Sequence, residues 1–275
     1  MSGYFGAGTW APESELEIIM SDMPSCQFES RPRRIVIGSG GVQADFCTNC
    51  SVRPTSVCSV IEPSDISRLA EVAVETIVSP GRGFIEEGAP ATDFFNVTSG
   101  TVKLFKALPD GRRQITGFAA PGHFLGLAVS DSYAFGAEAI DTVRVCRFSR
   151  EKMGELLDDF PKLERRLLEE ASNELVAAQN QMLLLGRKTA RERVASFLLD
   201  QMQAGLLPGQ PPPSGGRLHL PMTRGDIADY LGLTIETVSR TLSWMRGQGM
   251  IEVGKGYAIT IVSMAKLEVL AAGNG

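Results

Sequence analysis

Three cysteines stand close together in the chain, and a fourth lies far from them. Cys47, Cys50 and Cys58 have the spacing Cys-x2-Cys-x7-Cys, and Cys146 falls on the last strand of a predicted β-domain. Three thiolates from one loop and a fourth from a distant element can enclose a metal ion or an iron–sulfur cluster. The number of ligands does not separate zinc from iron–sulfur, and unrelated reduced thiols are a third interpretation.

A second set of chemistry-bearing residues lies on one predicted helix near the C-terminus. Glu236, Ser239 and Arg240 stand at positions i, i+3 and i+4, so they share one face near the start of the helix. Arginine can donate two hydrogen bonds to guanine, glutamate can accept one from the cytosine amino group, and serine can reach thymine. The array indicates readout of base edges, although a surface Glu–Arg pair on a structural helix is the alternative.

The helix that carries this array belongs to a predicted helix-turn-helix. Thr223 can cap a first helix together with Asp226, which lies three places further on. Gly232 permits a tight turn, and Thr234 can cap the second helix. In this motif the start of the second helix contacts base edges in the major groove of DNA.

A β-hairpin predicted over Met250–Val253 and Tyr257–Ile261 would form a wing beside the helix-turn-helix. Cations and hydroxyl groups around the two motifs are candidates for contact with DNA phosphates, where base sequence matters little and salt matters much. These candidates are Thr223, Arg224, Thr234, Thr237, Arg246 and Lys255.

A heptad pattern precedes the helix-turn-helix. Apolar residues recur at alternating steps of three and four, with glutamates beside them. Such a narrow stripe favours pairing with the same helix of a second chain, whereas packing on the β-domain alone is the alternative. The predicted dimer interface consists of Leu168, Ala171, Leu175, Ala178, Met182 and Leu185.

Charge is unevenly distributed along the chain. The net charge of −5 argues against a surface built throughout to bind polyanions. From Gly186 onward, 10 basic side chains stand against 7 acidic ones, which gives +3, whereas the preceding residues have 17 against 25, which gives −8. A nucleic-acid site is therefore expected in the C-terminal third.

Other features narrow the class of protein. A hydrophobic content of 43% in 275 residues is ample for real cores. We find no apolar run that could cross a bilayer and no secretory signal at Met1, so we expect a cytoplasmic protein with no membrane partner. His123 and His219 have no plausible catalytic partners, so we expect no enzyme.

The chain is predicted to have an α+β fold with four parts. Short apolar or alternating runs between Val72 and Phe148, separated by turn signals, predict a β-sandwich or roll. The predicted parts are a weakly ordered extension over 1–45, a cysteine-bearing segment and β-roll over 46–155, a dimerisation helix over 156–188, and a winged helix-turn-helix over 189–275.

A β-roll, a long dimer helix and a winged helix-turn-helix in this order resemble the CRP/FNR superfamily of transcription regulators. The resemblance covers Cys47 to Leu270, and its most specific stretches are Arg112–Gly126, Met182–Phe197 and Leu220–Val253. It implies an N-terminal jelly-roll-like sensor domain of the cyclic-nucleotide-binding type. It also implies a homodimer that binds double-stranded DNA and recruits RNA polymerase, chiefly as an activator.

Within the superfamily the chain is similar to the FNR-like branch of the FnrN, FixK and AadR type. The Glu-x-x-Ser-Arg pattern of that branch falls on Glu236, Ser239 and Arg240, and Ile235 stands where CRP carries an arginine. The resemblance implies binding to a palindrome of the TTGAT-N4-ATCAA kind.

The same resemblance implies an oxygen-labile [4Fe-4S] cluster. Its members have three N-terminal cysteines and a later one in a Val-Cys context, and these match Cys47, Cys50, Cys58 and Cys146. Cys26 has no counterpart. FNR-like sensors can place an aspartate in the dimer helix where Ala178 stands here, so the dimer is expected to form more readily without its cluster.

CRP-like pockets hold the phosphate of a cyclic nucleotide with an arginine. The segment Asp131–Phe135 contains none, so we expect no cyclic-nucleotide binding. Two further functions stay open. One is a regulator of the same fold without a cluster, controlled by its abundance or by thiol oxidation. The other is a ligand-binding or enzymatic β-roll with an incidental helix pair.

Overall fold

Two four-stranded antiparallel sheets form the N-terminal half of the computed structural model, which describes residues 43–127, 131–204, 216–254 and 258–273. The strands are β1 (Ala73–Val78), β2 (Gly83–Ile85), β3 (Asp93–Ser99), β4 (Val102–Ala107), β5 (Arg113–Ala119), β6 (Phe124–Leu125), β7 (Gly136–Ala139) and β8 (Val143–Ser149). One sheet has the order β1-β8-β3-β6 and the other β2-β7-β4-β5. The chain divides into two units, Met1–Ser39 and Gly40–Gly275, and every described residue belongs to the second.

The two sheets share one apolar interior, which confirms the predicted roll. Val97 and Val145 of the first sheet and Val102 of the second are fully buried in the same cluster. The turn between β3 and β4 requires glycine. Gly100 has a φ of +82°, and a Cβ there would lie 2.6 Å from the Thr142 carbonyl oxygen.

Short helices cover the outer side of the first sheet. Helices α1 (Gln43–Thr48), α2 (Ile66–Val72) and α3 (Arg150–Asp159) pack there with the cysteine-bearing turns. The extension predicted over 1–45, with Cys26, lies outside the described residues except for its last three, which begin α1.

The long helix α4 (Pro161–Arg187) joins the roll to the C-terminal domain and lies within the predicted span 156–188. Its first turns are buried through Leu163 and Leu167, and its last through Leu184, but every residue from 171 to 180 is exposed. In the part of the chain that the structure describes, no helix combines the length and apolarity that a membrane crossing needs.

The C-terminal domain is a winged helix-turn-helix, which confirms the predicted α+β class. Its helices are α5 (Ala190–Ala204), α6 (Arg224–Leu231), α7 (Ile235–Gly247) and α8 (Met264–Ala271). The predicted wing is present as β10 (Ile251–Val253) and β11 (Ala258–Ile261). A strand that was not predicted, β9 (Arg217–His219), pairs with β11. Phe197, Leu231, Met245 and Leu267 lie at the centre of its core.

The roll contacts the first helix of the helix-turn-helix through a mostly buried group of charges. Lys103 Nζ on β4 lies 2.9 Å from Glu138 Oε1 and 3.0 Å from Asp226 Oδ1 on α6. Beside it, Gln114 Nε2 donates to the Asp229 carbonyl oxygen at 2.7 Å, and Phe118 packs edge to face on Phe197. These contacts hold α6 against the second sheet.

The group of charges formed by Lys103, Glu138 and Asp226 makes the stability of the contact between the roll and α6 depend on pH. Burial alone would raise the pKa of Asp226, but hydrogen bonds from Thr223 and Lys103 outweigh it and leave the pKa below its usual value. Because the folded state depresses this pKa, its contribution is complete above the unfolded value of about 4 and is lost as pH falls through the folded value.

We predict that Lys103→Met destabilises the protein by roughly 1–3 kcal/mol at pH 7, since it leaves two carboxylates without their common partner. Denaturant unfolding of the two proteins should show this difference shrinking towards acid pH. Lys106→Met is the matched control, because Lys106 is exposed and its pair with Glu87 should contribute at most about 1 kcal/mol. A Lys103→Met effect no larger than that of the control, or one that grows towards acid pH, would contradict this account.

Candidate DNA-reading helix and cysteine site

Caps at both helix starts fix the turn between α6 and α7, as the sequence predicts. Thr223 Oγ1 accepts from the Asp226 N–H at 3.1 Å, and the Asp226 carboxylate accepts from the Thr223 N–H at 2.9 Å. This reciprocal pair is a capping box. Gly232 ends α6 with a φ of +60°, and Thr234 Oγ1 accepts from the Thr237 N–H at 3.2 Å at the start of α7.

The outer face of α7 carries the predicted base-reading array. Glu236, Ser239 and Arg240 are exposed, whereas Val238 and Leu242 of the same helix are buried. The backbone N–H of Glu236 and the Thr234 hydroxyl, assisted by Arg240, hold the pKa of the Glu236 carboxyl below its ordinary value. The helix start therefore presents an ionised acceptor and a guanidinium donor side by side.

The residues predicted to contact phosphate differ in how exposed they are. Thr223, Thr234 and Arg246 are exposed, and Thr237 is half-buried. The hydroxyl groups of Thr223 and Thr234 already cap helices, and the Thr237 hydroxyl lies 3.1 Å from that of Thr234. The Thr223 and Thr237 N–H groups are also engaged, since they donate to the Asp226 carboxylate and to Thr234 Oγ1, so a phosphate would have to compete with these contacts.

Arg224 occupies a different environment from the other candidates. It is half-buried beside a cavity of about 200 Å³ that Val253 of the wing also lines. Its Nη1 atom is buried and has no hydrogen-bond partner among the described residues. Lys255, the remaining candidate, lies outside the described residues.

The structure brings the four predicted cysteines to the outer side of the first sheet. Cys47 lies on α1, Cys50 follows it, Cys58 lies on a short turn Val57–Val60, and Cys146 lies on β8. Cys47, Cys58 and Cys146 are buried in one apolar cluster, whereas Cys50 is half-buried. The turn that carries Cys58 also packs against α4.

The surroundings of the three buried thiols favour their neutral form. Burial, followed by the nearby Cys58 and Cys50, raises the pKa of Cys47 to about 12. Burial raises the pKa of Cys58 to about 11, and that of Cys146 still further, with added contributions from Cys47, Cys58 and Cys50. The four thiols are thus electrostatic neighbours. Ionising Cys47, Cys58 and Cys146 at neutral pH requires a compensating cation.

The four cysteines are the right kind of ligand for an iron–sulfur cluster, but in this structure they are not arranged around a metal position. Within residues 43–127, 131–204, 216–254 and 258–273, no three His, Cys, Asp or Glu side chains are arranged to hold a metal ion. Four thiols from one loop and one strand, three of them buried, nevertheless match the ligand set of a [4Fe-4S] cluster. Free thiols in an apolar cluster are the other arrangement compatible with these contacts.

Five of the six predicted dimer residues are exposed on α4, and Leu185 is the exception. Leu168, Leu175 and Met182 are 64%, 60% and 70% exposed, and Ala171 and Ala178 are exposed between them. Leu185 is half-buried and packs against the core of the C-terminal domain, because its side chain lies next to Gly232 in the turn.

Sequence reasoning missed two polar residues of the roll. Lys103 lies between apolar residues on β4, which is the pattern of a side chain that faces solvent. The pattern therefore does not predict its contact with α6. Asn96 gives a clearer signal, because it is an amide inside the apolar run Phe94–Val97. It is fully buried beside Cys146.

Two family models match two separate parts of the chain. Residues 192–270 match the Crp-like helix-turn-helix domain, and residues 75–160 match the cyclic nucleotide-binding domain.

The chain aligns with nearly the whole length of several similar proteins. The chain is 41% identical over 243 residues to the nitrogen fixation regulation protein FixK of Bradyrhizobium diazoefficiens, covering 88% of this chain and 99% of that one. It is 38% identical over 226 residues to the transcriptional activatory protein AadR of Rhodopseudomonas palustris, covering 82% and 92%. The solved structure of FixK2 from Bradyrhizobium japonicum is similar with a TM-score of 0.67 at 38% identity, covering 72% of this chain and 97% of that one.

Proposed function

We propose that this chain, which belongs to the CRP/FNR family of transcription regulators, is a cytoplasmic homodimer that binds a TTGAT-N4-ATCAA-like palindrome and responds to oxygen through a [4Fe-4S] cluster. Like its relatives, it is a DNA-binding regulator with a helix-turn-helix and not an enzyme. Recruitment of RNA polymerase, as an activator, is part of the proposal. The observation that carries it is the exposed Glu236, Ser239 and Arg240 array at the capped start of α7.

The array supports sequence-specific binding because its groups differ in hydrogen-bonding role. Arg240 can donate to guanine, and the ionised Glu236 can accept from a cytosine amino group. The positive end of the α7 helix dipole favours a nearby phosphate, which would set the register of the helix in the groove.

We predict that Glu236→Ala and Arg240→Ala each weaken binding to the palindrome by ~1–3 kcal/mol, since each removes a base contact. Mobility shift with palindromic and scrambled duplexes at fixed salt measures the effect. Binding to the scrambled duplex should change much less in Glu236→Ala, which removes no cation. Arg165→Ala, which removes an exposed arginine from α4, is the control. Unchanged affinity in both α7 variants would exclude α7 as the reading helix.

Dimerisation is supported by the exposed middle of α4. An isolated helix gains little stability in water. We therefore expect the middle of α4, where all ten residues from 171 to 180 are exposed, to pack against a partner. Leu168, Leu175 and Met182 recur every seven residues, which is the spacing of a parallel helix pair. Ala178 adds no charge to this stripe, so pairing does not depend on a cluster to offset repulsion.

We predict that Leu175→Glu shifts the monomer–dimer equilibrium by at least about 3 kcal/mol towards monomer, because both leucines of the pair are lost. Sedimentation of metal-free protein measures it. Asn173→Glu places the same charge on another face of the exposed helix and should leave the dimer intact. If both variants, or neither, dissociated, the stripe would not be the interface.

The cysteine site supports a metal-dependent response. When bound, a [4Fe-4S] cluster supplies cationic charge that neutralises thiolates, and it reacts with oxygen. Cys47, Cys50 and Cys58 would hold it from one loop and Cys146 from β8. Because the Cys58 turn packs on α4, holding the loop in place would also fix the start of the dimer helix.

We predict that protein purified without oxygen is brown, contains about four iron and four sulfide per chain, and bleaches in air. Cys50→Ser should abolish this absorption, and Cys26→Ser should retain it. A colourless dimer with full DNA affinity would instead favour a same-fold regulator controlled by abundance or thiol oxidation. Bound zinc without sulfide would indicate a zinc site.

We propose no cyclic-nucleotide ligand for the roll, although the roll matches the cyclic nucleotide-binding domain. A phosphate held there would need a cationic partner, and the segment Asp131–Phe135 supplies no arginine.

A further inference from the structure

A row of four side chains crosses the first sheet at the level of Cys146. Register partners in the adjacent strands are Glu75 on β1, Cys146 on β8, Asn96 on β3 and Phe124 on β6. Directly opposed residues in antiparallel strands point to the same side of a sheet, with Cβ atoms roughly 5 Å apart. Asn96 is therefore the immediate neighbour of Cys146 on its face.

That face is the one that carries the cysteines. Cys146 and Phe124, which flank Asn96 in the row, belong to the apolar cluster that contains Cys47 and Cys58. The neighbours of Asn96 along β3, Phe95 and Val97, belong instead to the interior of the roll. The alternation of the strand places the Asn96 amide towards the cysteine-bearing segment.

Burial of this amide requires a hydrogen-bond partner for its oxygen, and the described residues supply none. Asn96 is 1% exposed, and its Oδ1 atom is buried with no hydrogen-bond partner among the described residues. A buried polar group without a hydrogen bond destabilises the fold, and a leucine of similar size would avoid that penalty. An asparagine at this position is explained if it has a partner in another state of the site.

We propose that Asn96 is a positioning residue of the cysteine site, whose amide N–H donates a hydrogen bond to the Cys146 sulfur when that sulfur is a thiolate. Half a turn about the Cβ–Cγ bond exchanges the amide oxygen and nitrogen, so the side chain can present a donor without moving the strand. Hydrogen bonds to ligand sulfurs raise the reduction potential of an iron–sulfur cluster. This inference rests on the proposed cluster.

Asn96→Leu tests it, with Val97→Ala as the control for general loosening of β3 and Asn96→Ala as a second variant that cannot overpack. The proteins are prepared without oxygen, and three quantities are measured: the reduction potential of the cluster, the rate at which its absorption disappears in air, and the denaturant stability of metal-free protein.

We expect both Asn96 variants to have a lower potential and to lose the cluster about tenfold faster than wild type, or to fail to assemble it. Metal-free Asn96→Leu should be at least as stable as wild type, which a purely structural role would not produce. Val97→Ala should lower the stability of the metal-free protein but leave the potential unchanged.

Wild-type protein with a cluster, together with Asn96 variants of unchanged potential and lifetime, would overturn this inference alone. Wild-type protein that assembles no cluster would overturn the proposed cluster and this inference with it.

Discussion

The whole molecule depends on how the exposed middle of α4 is stabilised, because a helix that packs against nothing gains little stability in water from its own hydrogen bonds. Helix α4 is 27 residues long and is buried within its own chain only near its two ends. Leu163 and Leu167 anchor it to the cysteine-bearing cluster, and Leu184 anchors it to the core of the C-terminal domain. The middle must be stabilised by something else, and the heptad stripe along it suits a second copy of the same helix.

The same helix connects the two proposed sites physically. Near its start it contacts the turn that carries Cys58, and towards its end Gln181 Nε2 donates to the Tyr230 carbonyl oxygen at the end of α6. The roll reaches the same turn of α6 through Gln114, so α6 is held from two directions. A shift of the roll relative to α4 would have to break one of these sets of contacts. These contacts form a continuous physical connection from the cysteine side through α4 and α6 to α7.

The sequence predicts the local elements well and the contacts between distant elements poorly. Thr223, Gly232 and Thr234 determine the helix-turn-helix through local hydrogen bonds and backbone conformation, so their roles can be deduced from neighbouring residues. Lys103 and Asp226 are 123 positions apart, and no local pattern links them. Leu185 fits the heptad, but its position next to the α6–α7 turn draws it partly into another core. Such outcomes depend on tertiary packing, which periodicity does not describe.

The buried thiols also indicate what kind of switch this fold can support. As neutral groups, Cys47, Cys58 and Cys146 behave as small apolar side chains and complete a cluster that includes Phe124 and Phe148. Loss of a bound metal would therefore leave a packed core and not an exposed cavity, provided that each sulfur regains a proton. The two states of the proposed sensor would then both be folded, and their difference would lie in how firmly the cysteine loop holds β8 and the start of α4. A change of this kind leaves the fold intact, so it would act by shifting the balance between two arrangements of the same folded chain.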